Sequence, residues 1–161
     1  MKQLIIVRHA KSSWKYDVID HQRPLKNRGR NDALLVSSEF KYYNLKPEII
    51  FSSDAERAKK TAEIFKKVLE IEDSLFLLKP ELYDFGGIEL LKFIKSIPED
   101  LNFIMIFGHN HAITAFVNEF GNKYTENVPT SGLTMIEFDI DSWSQLKKGK
   151  TVMSIYPKDL K

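Results

Sequence analysis

The chain has no cysteine. That absence excludes disulfides, thiolate metal sites and every mechanism built on a cysteine nucleophile, and it fits a reducing compartment. Long apolar runs are missing as well. The first, Leu4–Val7, is broken by Arg8 after four residues, so neither a signal peptide nor a membrane-spanning helix is expected. There is no excess of one charge: Lys+Arg number 24 against Asp+Glu 22, with the lysines scattered in pairs. That balance points away from nucleic acid. Repeats, low-complexity tracts and linker-like stretches are absent too. What remains is the composition of one soluble, cytoplasmic domain over residues 1–161, with 43% hydrophobic residues to build a core. Its pI near 8.6 admits an anionic ligand without requiring one.

Short apolar runs recur at Leu4–Val7, Ile49–Ser52, Leu75–Leu78 and Phe103–Phe107. They are continuous, the pattern of strands buried on both faces. Helix-period segments lie between them. Ala33, Val36, Phe40 and Tyr43 share one face, as do Ala58, Thr61, Phe65 and Val68. Leu91 and Ile94 mark a third segment, and Ile113, Phe116, Val117 and Phe120 a fourth. The alternation predicts an α/β fold, a mostly parallel sheet flanked by helices on both faces. Thr134–Ile140 and Thr151–Tyr156 alternate more, and read as antiparallel edge strands joined by a turn around Lys147–Lys150.

In open α/β sheets ligands bind beyond the carboxyl ends of the strands. Arg8 and His9 follow the first predicted strand; Ser52, Ser53 and then Arg57 follow the second. The loop KPELYDFGG, with Glu81 and Asp84, follows the third, and Gly108-His109-Asn110-His111 the fourth. Each has a plain structural reading by itself. Ser53 with Glu56 forms an S-x-x-E capping box, and Arg57 beside Lys59 and Lys60 reads as a solvated helix face. Together they are a constellation of two guanidiniums and two imidazoles on one rim. Arginine offers a fixed fork of donors that matches phosphate oxygens. The start of the Ala55–Glu70 helix adds free N–H groups. Without cysteine, an imidazole nitrogen is the natural nucleophile toward phosphorus.

Three segments in order, R-H-A at 8–10, S-S-x-x-x-R-A-x-x-T-A at 52–62 and G-H-N at 108–110, resemble the signatures of the histidine phosphatase superfamily, which includes the phosphoglycerate mutases. RHAKSSW, D-H-x-R-P-L at 20–25 and R-G-R-x-D-A at 28–33 are similar to the small SixA-like phosphohistidine phosphatases. The resemblance runs from about residue 3 to 138 and implies a phosphoglycerate mutase-like fold. It implies that His9 attacks phosphorus and becomes phosphohistidine, while Arg8, Arg57 and His109 bind the phosphoryl oxygens. The second nitrogen of His9 then needs a hydrogen-bond acceptor to set the tautomer. In the larger relatives a glutamate of an E-L-x-E segment supplies the leaving-group proton. Here Glu81-Leu82-Tyr83-Asp84 puts the shorter Asp84 at that place, as the possible general acid. Asp20, His21 and Arg23 either rim the pocket or fix the loop before the next helix. Lys26 stands where relatives carry a helix-capping residue, with Asn27 next in line.

The resemblance implies a metal-independent hydrolase without cofactor. The expected partner is a phosphorylated protein, foremost one carrying phosphohistidine, or a small phosphorylated substrate; neither nucleic acid nor membrane is expected. Rival readings are a broad-specificity phosphomonoesterase, a phosphate-binding module of the same fold without turnover, and a metallohydrolase using His109-x-His111. FDIDSW at 138–143 resembles the loop of aspartate-nucleophile phosphatases, but it stands near the end of the chain, and Trp143 replaces the expected Thr or Val.

Overall fold

Leu4, Ile5, Ile6 and Val7 are each fully buried, because the strand they form, β1 (Lys2–Arg8), lies inside a six-stranded sheet. The computed structural model describes residues Met1–Lys161. The other strands are β2 (Ile49–Ser52), β3 (Phe76–Leu78), β4 (Phe103–Gly108), β5 (Leu133–Phe138) and β6 (Lys150–Ile155). Their order across the sheet is β3-β2-β4-β1-β5-β6. The first four strands in that order run parallel, and β5 and β6 are antiparallel to their neighbours. The helices are α1 (Asn27–Lys41), α2 (Glu56–Leu69), α3 (Ile88–Lys95) and α4 (Ala112–Phe120). None is long and apolar enough to cross a membrane.

Successive strand residues point to opposite faces, so each interior strand feeds two cores. Leu4, Ile6, Ile104 and Ile106 pack with α3, α4 and Trp143. Ile5, Val7, Ile50, Met105 and Phe107 pack with Ala33, Val36 and Phe40 of α1 and with Ala62 and Phe65 of α2. Burying one such large side chain contributes about 1.5–3 kcal/mol. The predicted helices sit on both faces, as the alternation requires.

Three expectations need correction. β3 is an edge strand with Leu77 and Leu78 about two-fifths exposed; it pairs with β2 alone, so its continuous apolar run does not report burial on both faces. β5 is interior, between β1 and β6, and only β6 is an antiparallel edge. Tyr43 lies beyond the end of α1 and is half exposed, because the chain turns away through Asn44, at φ 55°. Trp143 of the FDIDSW segment is a core residue whose Nε1–H donates to the Leu101 carbonyl at 2.7 Å.

The register of the three central strands makes the site. Arg8 of β1 lies opposite Gly108 of β4, so the next residues, His9 and His109, leave the sheet side by side. Ser52 of β2 lies opposite Phe107 on the other side of β4. The His9 N–H donates to the Gly108 carbonyl and the Ser53 N–H to the Phe107 carbonyl. Three chain segments therefore emerge together at the carboxyl edge.

Candidate active site

His9 and His109 have ring centroids 5.2 Å apart, and both rings are buried. His9 Nδ1 lies 2.7 Å from the carbonyl oxygen of Ala10. A carbonyl only accepts, so Nδ1 carries the proton and Nε2 keeps its lone pair. Burial first, then the charges of Arg57, Arg8 and Arg23, push the His9 imidazole down to about 3. It is neutral, as an attacking nitrogen must be. The Ala10 N–H donates to Thr61 Oγ1, whose hydroxyl donates to the Arg57 carbonyl. Thr61 thus ties the segment after His9 to the helix that carries Arg57.

His109 Nε2 meets Ser53 Oγ at 2.8 Å. Ser53 Oγ already accepts the Ala55 N–H at 3.2 Å, so its own proton is free for Nε2. Nδ1 of the same ring is buried and without a partner. Burial first, then the neighbouring His9 and Arg57, lower the His109 imidazole to about 2. Tyr83 and Phe85 lean on its ring from 5.3 and 5.1 Å. Ser53 does not form the expected capping box. The N-cap of α2 is Ala55, and Glu56 pairs with Lys60 instead.

Arg8 donates through Nη1 to the Val128 carbonyl at 2.8 Å and leaves its Nε buried and unpartnered. Ser131, at φ 62°, turns its N–H toward the carbonyls of both Arg8 and His9, which holds their backbone. Arg57, only 2% exposed, forks onto Asp20: Nη1 to its carbonyl at 2.7 Å, Nη2 to its Oδ2 at 2.8 Å. Asp20 also accepts from Arg23 at 3.1 Å and from the Tyr83 hydroxyl at 2.5 Å. These hydrogen bonds outweigh the opposing effect of burial and hold the Asp20 carboxyl well below the usual range. Burial and the bond to Asp20 push the Tyr83 phenol up.

Arg8, His9 and Arg57 open into a cavity of about 320 Å³, walled by Ser12, Trp14, Asp20, Arg23, Phe85 and Thr130. His109, almost fully buried, does not line this cavity, and its ring packs against Phe85. Asp84 is not part of this wall. Its Oδ1 accepts from the Gly86 N–H and its Oδ2 from the N–H groups of Gly87 and Leu90. Gly87, at φ 106°, lets the loop fold back over the carboxylate, which satisfies the start of α3 rather than facing the cavity. His111 caps α4 at the surface, away from buried His109. No three His, Cys, Asp or Glu side chains are grouped to hold a metal ion.

Residues 4–84 match the model of the histidine phosphatase superfamily, branch 1. The chain belongs to that superfamily. A histidine phosphatase performs a phosphatase-type hydrolysis, and that reaction class extends to this chain. An uncharacterized chloroplastic protein of Arabidopsis thaliana is 31% identical, with 81% of this chain and 72% of that protein covered. The protein histidine phosphatase SixA complexed with tungstate shares the fold, with TM-score 0.80 at 22% identity over 99% of each chain. A phosphoserine phosphatase from Entamoeba histolytica, in complex with 3-phosphoglyceric acid, shares it less closely, with TM-score 0.62 at 15% identity over 96% of each chain.

Within this histidine phosphatase fold, several residues that shape the site carry no separate signal in the sequence. Ser53 reads as a cap and Thr61 as a helix-face residue, yet they bind His109 and Ala10, and Ser131, which no motif marks, binds the carbonyls of Arg8 and His9. The D-H-x-R run fixes the loop and walls the cavity at once. Asp20 holds Arg57, His21 pairs with Asp54 at 2.8 Å, and Arg23 donates to Ser12 Oγ and the Ser13 carbonyl.

Proposed function

We propose that this histidine phosphatase hydrolyses phosphohistidine on a protein, with His9 as the covalent nucleophile. His9 Nε2 attacks phosphorus while the N–P bond of the substrate breaks, and the departing ring, already protonated from solvent on its other nitrogen, keeps the bond's electron pair and leaves as neutral imidazole. Water then attacks the phosphorus of phospho-His9. That N–P bond breaks, orthophosphate leaves, and the electron pair returns to Nε2. Arg8, Arg57 and His109 receive the charge spread over the phosphoryl oxygens.

The observation that carries the phosphohistidine reading is the state of the two aspartates nearest the site. Asp20 is held as an anion by Arg57, Arg23 and Tyr83. Asp84 accepts three backbone N–H groups. Neither is poised as a proton donor. An alkoxide needs such a donor as its bond to phosphorus breaks. An imidazole leaving group, with an ordinary pKa near about 6.5, protonates readily at neutral pH. The pairing of neutral His9 with anionic Asp20 therefore favours N–P over O–P cleavage.

The test is a competition between a phosphohistidine peptide and p-nitrophenyl phosphate in excess EDTA, with His9→Ala alongside. Fast loss of phosphohistidine, weak ester cleavage and inactivity of His9→Ala are expected. Ester cleavage as fast as phosphohistidine cleavage would overturn the substrate reading. Near-normal activity of His9→Ala would overturn the covalent one.

A further inference from the structure

A groove of about 400 Å³ is lined among others by Lys15, Tyr16, Lys26, Asn27 and Arg30. It shares the 11–16 and 23–27 segments of chain with the cavity wall. Its charge is unusual for this molecule. Residues 8–30 hold seven basic side chains against two acidic ones, while the whole chain carries only +2. Elsewhere lysines are commonly paired: Lys60 with Glu56 and Glu63, Lys66 with Asp73, Lys92 with Glu89. Lys11, Lys15, Lys26 and Arg30 are exposed, and none has a carboxylate within 4 Å. Asp17 is the one acid on the exposed part of the loop, and it pairs with none of them.

The start of α1 breaks the rule for a stable helix. A helix N-terminus carries partial positive charge and favours acidic residues. Here Lys26 is the N-cap with no side-chain cap bond, and the first turn has no acid. Asn27, next in line to cap, instead accepts from Arg30 Nη1 at 3.2 Å. Cations gathered uncompensated at the positive end of a helix cost stability unless an anion arrives. Rules broken in this way concentrate at functional sites. On the cavity wall, Trp14 is 76% exposed, and its ring lies 3.2 Å from the Arg23 guanidinium. That stack is a rigid aromatic platform of the kind that anchors protein partners.

We infer that this groove docks an acidic surface of the phosphorylated protein, beside the phosphorylated residue that enters the cavity. The inference rests on the phosphoprotein reading above. Lys15, Lys26 and Arg30 meet carboxylates of the partner, and Trp14 packs on its apolar atoms. The phosphoryl group alone needs only the cavity. The groove thus selects among phosphoproteins by the charge around the modified residue, through attraction that salt screens.

The experiment compares wild type with the triple variant Lys15→Glu, Lys26→Glu, Arg30→Glu. Turnover is measured on phosphoramidate and on phosphohistidine peptides with acidic or neutral flanks. Binding of labelled unphosphorylated acidic and neutral peptides, and of a single-stranded oligonucleotide of equal charge, is followed by anisotropy. The acidic phosphopeptide is expected to show a KM at least about tenfold below the neutral one. The variant, or about 0.5 M salt, removes that difference, while turnover of phosphoramidate by the variant stays at the wild-type value. Equal KM for both phosphopeptides overturns the inference, and so does an oligonucleotide that binds more tightly than the acidic peptide. If no N–P substrate is cleaved but the acidic peptide binds wild type and not the variant, the phosphohistidine reading fails and the docking surface stands.

Discussion

At the scale of single residues, the site is defined by which atom already has a partner. His9 offers Nε2 because Ala10 holds Nδ1; His109 keeps Nδ1 free because Ser53 takes Nε2. Asp20 occupies both Nη groups of Arg57, where phosphoryl oxygens would bind, so it competes with substrate as a like charge. Asp20→Asn is expected to tighten inhibition by orthophosphate about tenfold, since like charges brought together cost several kcal/mol at most. Unchanged or weaker inhibition would show that Asp20 does not compete. Arg57→Ala is expected to damage both KM and kcat, with the larger loss in kcat/KM. Ser53→Ala removes the hydrogen bond that holds the His109 ring in place. It is expected to lower kcat on the order of tenfold while KM changes little, an outcome read from steady-state kinetics. These pairings were not legible in the sequence. Arg8, His9, Arg57 and His109 stood out as residue types at strand ends, but hydrogen-bond partners such as Ala10 and Ser53 depend on distances that no motif states.

At the scale of elements, two short segments show how local chemistry frames the site. The close approach of α1 to the Lys11 backbone explains the glycine of R-G-R. A Cβ on Gly29 would collide with the Lys11 carbonyl oxygen, and the Lys26 N–H donates to that same carbonyl. Gly29→Ala is therefore expected to lose about 1–3 kcal/mol of stability, seen as a lower urea midpoint, despite the better helix propensity of alanine. Asp84 is the second case. As a cap of α3 its loss in Asp84→Ala costs about 1–2 kcal/mol and leaves phosphohistidine turnover near wild type. A loss of turnover as large as that of His9→Ala would restore it as a proton donor. The E-L-x-E resemblance named Asp84 as the possible general acid. It could not reveal that Gly87 turns that loop so that backbone N–H groups claim the carboxylate first.

At the scale of the molecule, the two imidazoles link stability to pH. Each folded pKa lies below the ordinary value near 6.5, so in that range the unfolded chain binds more protons than the folded one. Stability is then full above about pH 6.5 and falls as pH is lowered toward the folded values. Near pH 5 the loss is on the order of 2 kcal/mol for each ring. The paired variant His9→Gln, His109→Gln is expected to flatten this slope between about pH 6.5 and 4, measured by urea unfolding; an unchanged slope would assign the acid sensitivity to other groups. The sequence by itself determined the alternation of strands and helices, the two cores and the four residues that meet at the sheet's carboxyl edge. Those follow from hydrophobic period and from chain position, which are local properties. The order of strands, which put β5 inside the sheet and β3 at its rim, was decided only by the tertiary structure. So were the partners of His9, His109, Arg57 and Asp84, and the groove that gathers Lys15, Lys26 and Arg30. Each of these is a meeting of residues far apart in the chain or a choice among competing hydrogen-bond partners, and such choices are made by packing in three dimensions.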